Sequence, residues 1–138
     1  MKGHLQLSRD EAQKLDAILT SVSTRAKYPF SLSYLLQKWG DFVAQVDKGF
    51  EGSIYEYTND LSIRDVLEEI LLKAPPSLHD KIMQRVKPWD DRLHEVTRKA
   101  SRPLAPGVPP DAPSWWLRIP KKLARQLEDD FRSEGILE

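Results

Sequence analysis

The sequence contains no cysteine. That single absence removes disulfides, zinc–thiolate sites, iron–sulfur clusters and thiol nucleophiles together. Long apolar runs are missing as well. No unbroken apolar stretch exceeds four residues, whereas a helix needs about 20 to cross a bilayer, so no membrane contact is expected. Charge of one sign is not in excess: 21 Lys and Arg face 21 Asp and Glu. A duplex-binding domain normally shows a basic surplus that displaces counterions, so the balance gives an expectation of no nucleic-acid partner. The six glycines form neither a dinucleotide-binding nor a phosphate-loop pattern. There is no Gly-x-Ser-x-Gly, and the three histidines have no serine–acid companions. No cofactor is therefore expected. The start, Met1 to Gln6, lacks the apolar stretch of a secretion signal, which leaves the cytoplasm as the expected location.

What is present suits one helical unit. The 138 residues are 40% apolar and 30% charged, enough to bury a core without covalent staples. Serines mark helix starts. Ser8-Arg9-Asp10-Glu11 and Ser53-Ile54-Tyr55-Glu56 have capping-box spacing, and Ser62 and Ser77 carry weaker versions with aspartate three residues on. Apolar residues follow at helical steps. Leu32, Leu35, Leu36, Trp39, Val43, Val46 and Phe50 form the longest stripe, which puts the Trp39 helix at the centre of the expected fold. The pattern predicts separate helices over 53–61 and 62–74, and two more that meet at Pro88. Alternating β patterns are nearly absent. Only 115–119 looks extended, with no segment to pair with. The expectation is an all-α bundle of about six helices.

Three stretches are distinguished: a helical body over 1–101, a proline-rich strap over 102–114, and a C-terminal docking segment over 115–138. Pro103, Pro106 and Pro109 recur at the polyproline II period. The last helix is predicted to open at Pro120, with Lys121 and Lys122 at its amino end and Glu128, Asp129 and Asp130 near its carboxyl end. That order opposes the helix dipole, so the helix needs an external hold. Docking on its own body through Trp115, Trp116, Leu123, Leu127 and Phe131 is the first expectation; a partner's groove, or exchange between two copies in a homodimer, is the alternative.

Zero net charge conceals blocks. Residues 41–70 hold eight acids against Lys48 and Arg64, for a net −6, together with Phe42, Phe50, Tyr55 and Tyr57. Aromatics beside carboxylates suit a surface that anchors and steers a basic protein partner. Phe42, Glu51, Tyr55, Glu56, Asp60 and Arg64 are the candidate contacts: Phe42 and Tyr55 sit off the central stripe, and Arg64 is spaced to pair with Asp60. A basic patch of Arg98, Lys99, Arg102, Arg118, Lys121, Lys122 and Arg125 beside Trp115 and Trp116 suggests single-strand stacking. Tryptophans buried to pin the tail are the preferred reading of that patch.

Three classes of function remain. The first is a non-enzymatic interaction protein of inhibitor, immunity or adaptor type. The second is a regulatory or ligand-sensing module with an aromatic-lined pocket. The third is a metal-dependent enzyme on Asp90, Asp91 and His94, which share a helical face near His79 and Asp80. Glu56 and Asp60 are also spaced as a paired-carboxylate site, although Glu56 already serves as a cap partner.

Overall fold

The computed structural model describes residues 6–27, 29–100 and 115–136. Its elements are α1 (Arg9–Ala26), α2 (Leu32–Lys48), α3 (Ile54–Lys73), α4 (Pro76–Val96), β1 (Thr97–Lys99), β2 (Arg118–Pro120) and α5 (Arg125–Ser133). The all-α class holds, with five helices and one short ribbon among the described residues. The 102–114 strap lies outside the described residues.

Both strong capping boxes form. Ser8 Oγ accepts from the Glu11 amide at 3.1 Å while Glu11 accepts from the Ser8 amide at 2.8 Å. Ser53 and Glu56 repeat the exchange at 3.2 Å each way. A third serine start escaped notice in the sequence: Ser31 caps α2 by accepting from the Tyr34 amide, with no carboxylate at the return position. Ser62 and Ser77 start nothing. Ser62 lies inside α3 and donates to the Asn59 carbonyl of the preceding turn, so its hydroxyl caps no helix start. Ser77 lies in the first turn of α4, behind Pro75 as N-cap and Pro76 at the first helical position.

Two expected breaks are therefore absent. The segments 53–61 and 62–74 are one helix, α3, and Pro88 lies inside a continuous α4. At 100° per residue, Ile54, Tyr57 and Leu61 fall on one side of α3, and Leu67, Ile70 and Leu71 on another. All six are buried. The stripe changes sides because α3 packs against each of the other four helices. It shares the centre with the Trp39 helix, which packs on α3 and α4. The ring of Trp39 is fully buried between them. On α2, Gly40 permits close approach: a Cβ there would sit 2.8 Å from Cε2 of Trp89.

The C-terminal arm folds back on this body. β2 pairs antiparallel with β1, in the register Thr97↔Pro120, Arg98↔Ile119 and Lys99↔Arg118. The extended run thus has a partner after all. That partner was hidden because Thr97–Lys99 is polar and continues directly from α4. Leu123 then bridges Phe50, and α5 begins at Arg125, later than the predicted Pro120. Lys121 and Lys122 precede α5 instead of lying in its first turn, and Glu128 falls in that first turn. Asp130 accepts from the Ile54 amide at 2.9 Å, facing the positive end of α3. A charge that looked misplaced on its own helix caps another one.

α1 is held on by ion pairs, which sets an acid limit on stability. Glu11 is buried and accepts from Lys81 Nζ and Ser77 Oγ, both at 2.7 Å. Lys81 first, then the Ser8 amide and Ser77, hold the Glu11 carboxyl at about 2, below its ordinary 4.5. Arg25 first, then Lys73, hold Glu69 at about 2 as well. A depressed carboxylate stabilises the fold fully above its unfolded value and loses that contribution as pH falls toward the folded one. The urea midpoint should therefore fall from about pH 4.5 down to about pH 2. Glu11→Gln and Glu69→Gln should each flatten that slope; an unchanged slope in both would remove the assignment.

Candidate functional site

Behind the candidate surface lies a buried polar network. Arg64 occupies the same angular position on α3 as Tyr57 and Leu71, seven residues away on either side, and so faces inward. Its Nε and Nη2 donate to the two oxygens of Asp90 at 3.0 and 2.9 Å, and its Nη1 donates to Glu68 at 2.9 Å. Trp39 Nε1 donates to the same Asp90 carboxylate at 2.9 Å. The guanidinium also lies 4.8 Å from the ring centroid of Trp116, whose Nε1 donates to Asp65 at 2.8 Å. Burial opposes the charge of Arg64, but Asp90 and then Glu68 hold its pKa above the ordinary arginine value. Tyr57 donates its hydroxyl to the Arg118 carbonyl at 2.6 Å, and burial pushes that phenol up, which keeps it a donor. α2, α3, α4 and the arm are thereby locked together with no unsatisfied buried side-chain polar atom among the described residues.

Two of the six candidate contacts belong to this interior. Arg64 pairs with Asp90 and Glu68, not with Asp60. Phe42, expected at an exposed edge, is 2% exposed; its ring lies 5.4 to 5.6 Å from those of Tyr57, Trp39 and Phe50. Besides Trp39 on its own helix, its neighbours are Tyr57 of α3 and Phe50 of the loop after α2, which no single-helix stripe reveals. The other four stay near the surface. Tyr55 is 74% exposed, Glu51 and Glu56 are exposed, and Asp60 is half-buried.

The eight acids of 41–70 divide in two. Asp47 binds Arg92, Glu68 binds Arg64, Glu69 binds Arg25 and Lys73, and Asp65 accepts from Trp116. Asp41, Glu51, Glu56 and Asp60 have no ion-pair partner among the described residues. Partial burial pushes the Asp60 carboxyl up, an effect that Lys38 opposes and Glu56 reinforces. Of these acids Glu56 follows Tyr55 directly in α3, Glu51 precedes that helix, and Asp60 lies on it beside Lys38 of α2. Lys38 belongs to this surroundings and was not singled out in the sequence.

Asp90, Asp91 and His94 line one cleft of α4 but do not form a metal-binding group. Asp90 is spent inside on Arg64 and Trp39, while Asp91 pairs with Lys87 at 3.1 Å on the exposed side of α4. Among the described residues no group of three or more His, Asp or Glu side chains is placed to hold a metal ion. The cleft, about 400 Å³ in volume and open to solvent, is lined by Met83, Lys87, Asp90, Asp91, His94 and Trp115. Of the proposed tail contacts, Trp116, Leu127 and Phe131 are buried, Leu123 is half-buried, and Trp115 is 38% exposed. No helix among the described residues is long and apolar enough to cross a membrane. No family model matches the chain, and neither a curated protein nor a solved structure shows significant similarity to it.

Proposed function

We propose that the chain is a small non-enzymatic interaction protein, of inhibitor, immunity or adaptor type, that holds a basic protein partner against the α2–α3 corner. One observation carries the reading: Tyr55 is 74% exposed and is followed in α3 by Glu56, which like Glu51 has no ion-pair partner among the described residues. A tyrosine supplies anchoring area at small entropic cost, and the unpaired acids steer a basic surface toward it. Phe42 and Arg64 support the corner from behind, Phe42 by packing under Tyr57 and Arg64 by tying α3 to α4. The cytoplasm remains the proposed setting.

The test is affinity capture from the source cell with the full chain as bait. The expected result is one basic partner, released as salt rises through the range where the Debye length falls below about 10 Å. Glu51→Lys with Asp60→Lys should abolish capture, as should Tyr55→Ala. Neither variant touches the Ser53 capping box, so helicity should be unchanged. A partner retained equally by both variants contradicts the proposal.

A further inference from the structure

A second set of charges without ion pairs, all cationic, lies on and around the ribbon of β1 and β2, with Arg98 and Lys99 on its two opposite sides. Arg98 and Lys99 lie on β1, Lys121 and Lys122 follow β2, and Arg125 opens α5. All five are exposed, and none has an ion-pair partner among the described residues. Residues 97–100 and 115–127 contain no acid. Lys48 extends the row: a Cβ on the following residue, Gly49, would meet Lys122 Cβ at 4.0 Å. The neighbouring carboxylates are largely accounted for. Asp47 and Glu95 are both held by Arg92. Glu51, beside the Phe50–Leu123 bridge, marks the line where the surface changes sign, and Asp129 is exposed on α5. Arg118 adds positive potential and stiffens the ribbon by donating to Thr97 Oγ1 at 2.8 Å and to its carbonyl at 3.0 Å.

The two tryptophans before this ribbon have separated roles. Trp116 is taken by Arg64 and Asp65 and is buried. Trp115 is 38% exposed; its ring stands edge-on to Trp116 and 6.4 Å from the His94 ring, and forms one wall of the open cleft. The cleft thus offers the exposed ring of Trp115 as a stacking surface, with the Lys87–Asp91 ion pair at its edge.

From this we infer that the ribbon docks single-stranded nucleic acid: Arg98, Lys99, Lys121, Lys122 and Arg125 take the phosphates, and an unstacked base lies on Trp115. Cations that track a backbone beside an exposed aromatic are the elements of that mode. A duplex offers no free base face to Trp115, whereas every base of a single strand does. The expectation of no nucleic-acid partner came from a net charge that sums over local groups of opposite sign. The proposal concerns a surface separate from the Tyr55 corner and stands independently of it.

The experiment titrates the full chain with oligothymidylate of about 16 nucleotides, following tryptophan emission at about 50 mM salt. Binding with quenching is expected. With about five phosphate contacts at a slope of about −0.7 each, affinity should fall about a hundredfold by about 200 mM salt. Lys99→Glu with Lys121→Glu leaves the ribbon's backbone pairing intact and should weaken binding at least about tenfold. Trp115→Ala should abolish most of the quenching. No binding at about 50 mM salt, or wild-type binding by the charge-reversed chain, overturns the inference. Equally tight binding of a polyglutamate peptide that ignores Trp115→Ala would overturn it too, and would assign the ribbon to an acidic protein segment.

Discussion

Asp90→Ala should destabilise the chain by about 3–5 kcal/mol, measured as the urea unfolding free energy. The carboxylate accepts from Arg64 and from Trp39, and the side chains of Arg64 and Asp90 are only 4% and 9% exposed. Removing one partner of a buried ion pair leaves a desolvated charge without compensation, and that penalty is about 3–5 kcal/mol. Here the indole N–H of Trp39 loses its acceptor as well, adding about 1–3 kcal/mol if no water enters. Replacing both charges by apolar groups of similar volume, Arg64→Met with Asp90→Leu, should cost less than Asp90→Ala alone. That ordering separates an uncompensated charge from simple loss of packing. A single-variant loss below about 1 kcal/mol would show that the network does not hold α3 to α4.

Phe131→Ala should cost a comparable amount, about 3–5 kcal/mol, the usual range for deleting a fully buried phenylalanine. The ring is 0% exposed and meets Tyr57 edge-on at 5.8 Å and 88°. Tyr57 in turn bonds the Arg118 carbonyl of β2, so the cavity opens where α3, α5 and the ribbon meet. The unfolding transition should stay cooperative, with the arm and the helical body lost together. A variant that loses less than about 1 kcal/mol, or that melts in two steps, would mark the arm as a separable appendage.

These two sites show what was legible in the sequence. Helix existence was legible because capping boxes and apolar steps are local: Ser8 with Glu11 and Ser53 with Glu56 act within one turn. Helix continuity was not. α3 is buried on several sides, so its stripe shifts mid-helix and reads as two short helices, and the Ser62 hydroxyl that looked like a start bonds within the helix. The same distinction governs the candidate contacts. Tyr55 was recognisable as lying off the stripe, and it is exposed. Phe42 and Arg64 were misjudged because their partners are distant in sequence: Arg64 meets Asp90 from 26 positions away, and no spacing rule within α3 can point to it. The split of the acids into paired and unpaired sets is likewise tertiary, since Arg92 reaches Asp47 across 45 positions.

Three acids of the 41–70 block, Asp47, Glu68 and Glu69, are ion-paired and Asp65 accepts from Trp116, while Asp41, Glu51, Glu56 and Asp60 have no ion pair among the described residues. Arg98, Lys99, Lys121, Lys122 and Arg125, on and beside the ribbon, have none either. Zero formal charge thus conceals local groups of one sign.

The most direct test of the interaction reading places a photo-crosslinking residue at position 55 and, separately, at position 72. Leu72 is 77% exposed near the other end of the same helix and has no unpaired acid beside it, so it controls for accessibility alone. Irradiation in a lysate of the source cell should join position 55 to one basic protein, in a yield that falls as salt is added before irradiation, and should join position 72 to nothing comparable. Equal yields at the two positions, or no adduct at position 55, would contradict the account.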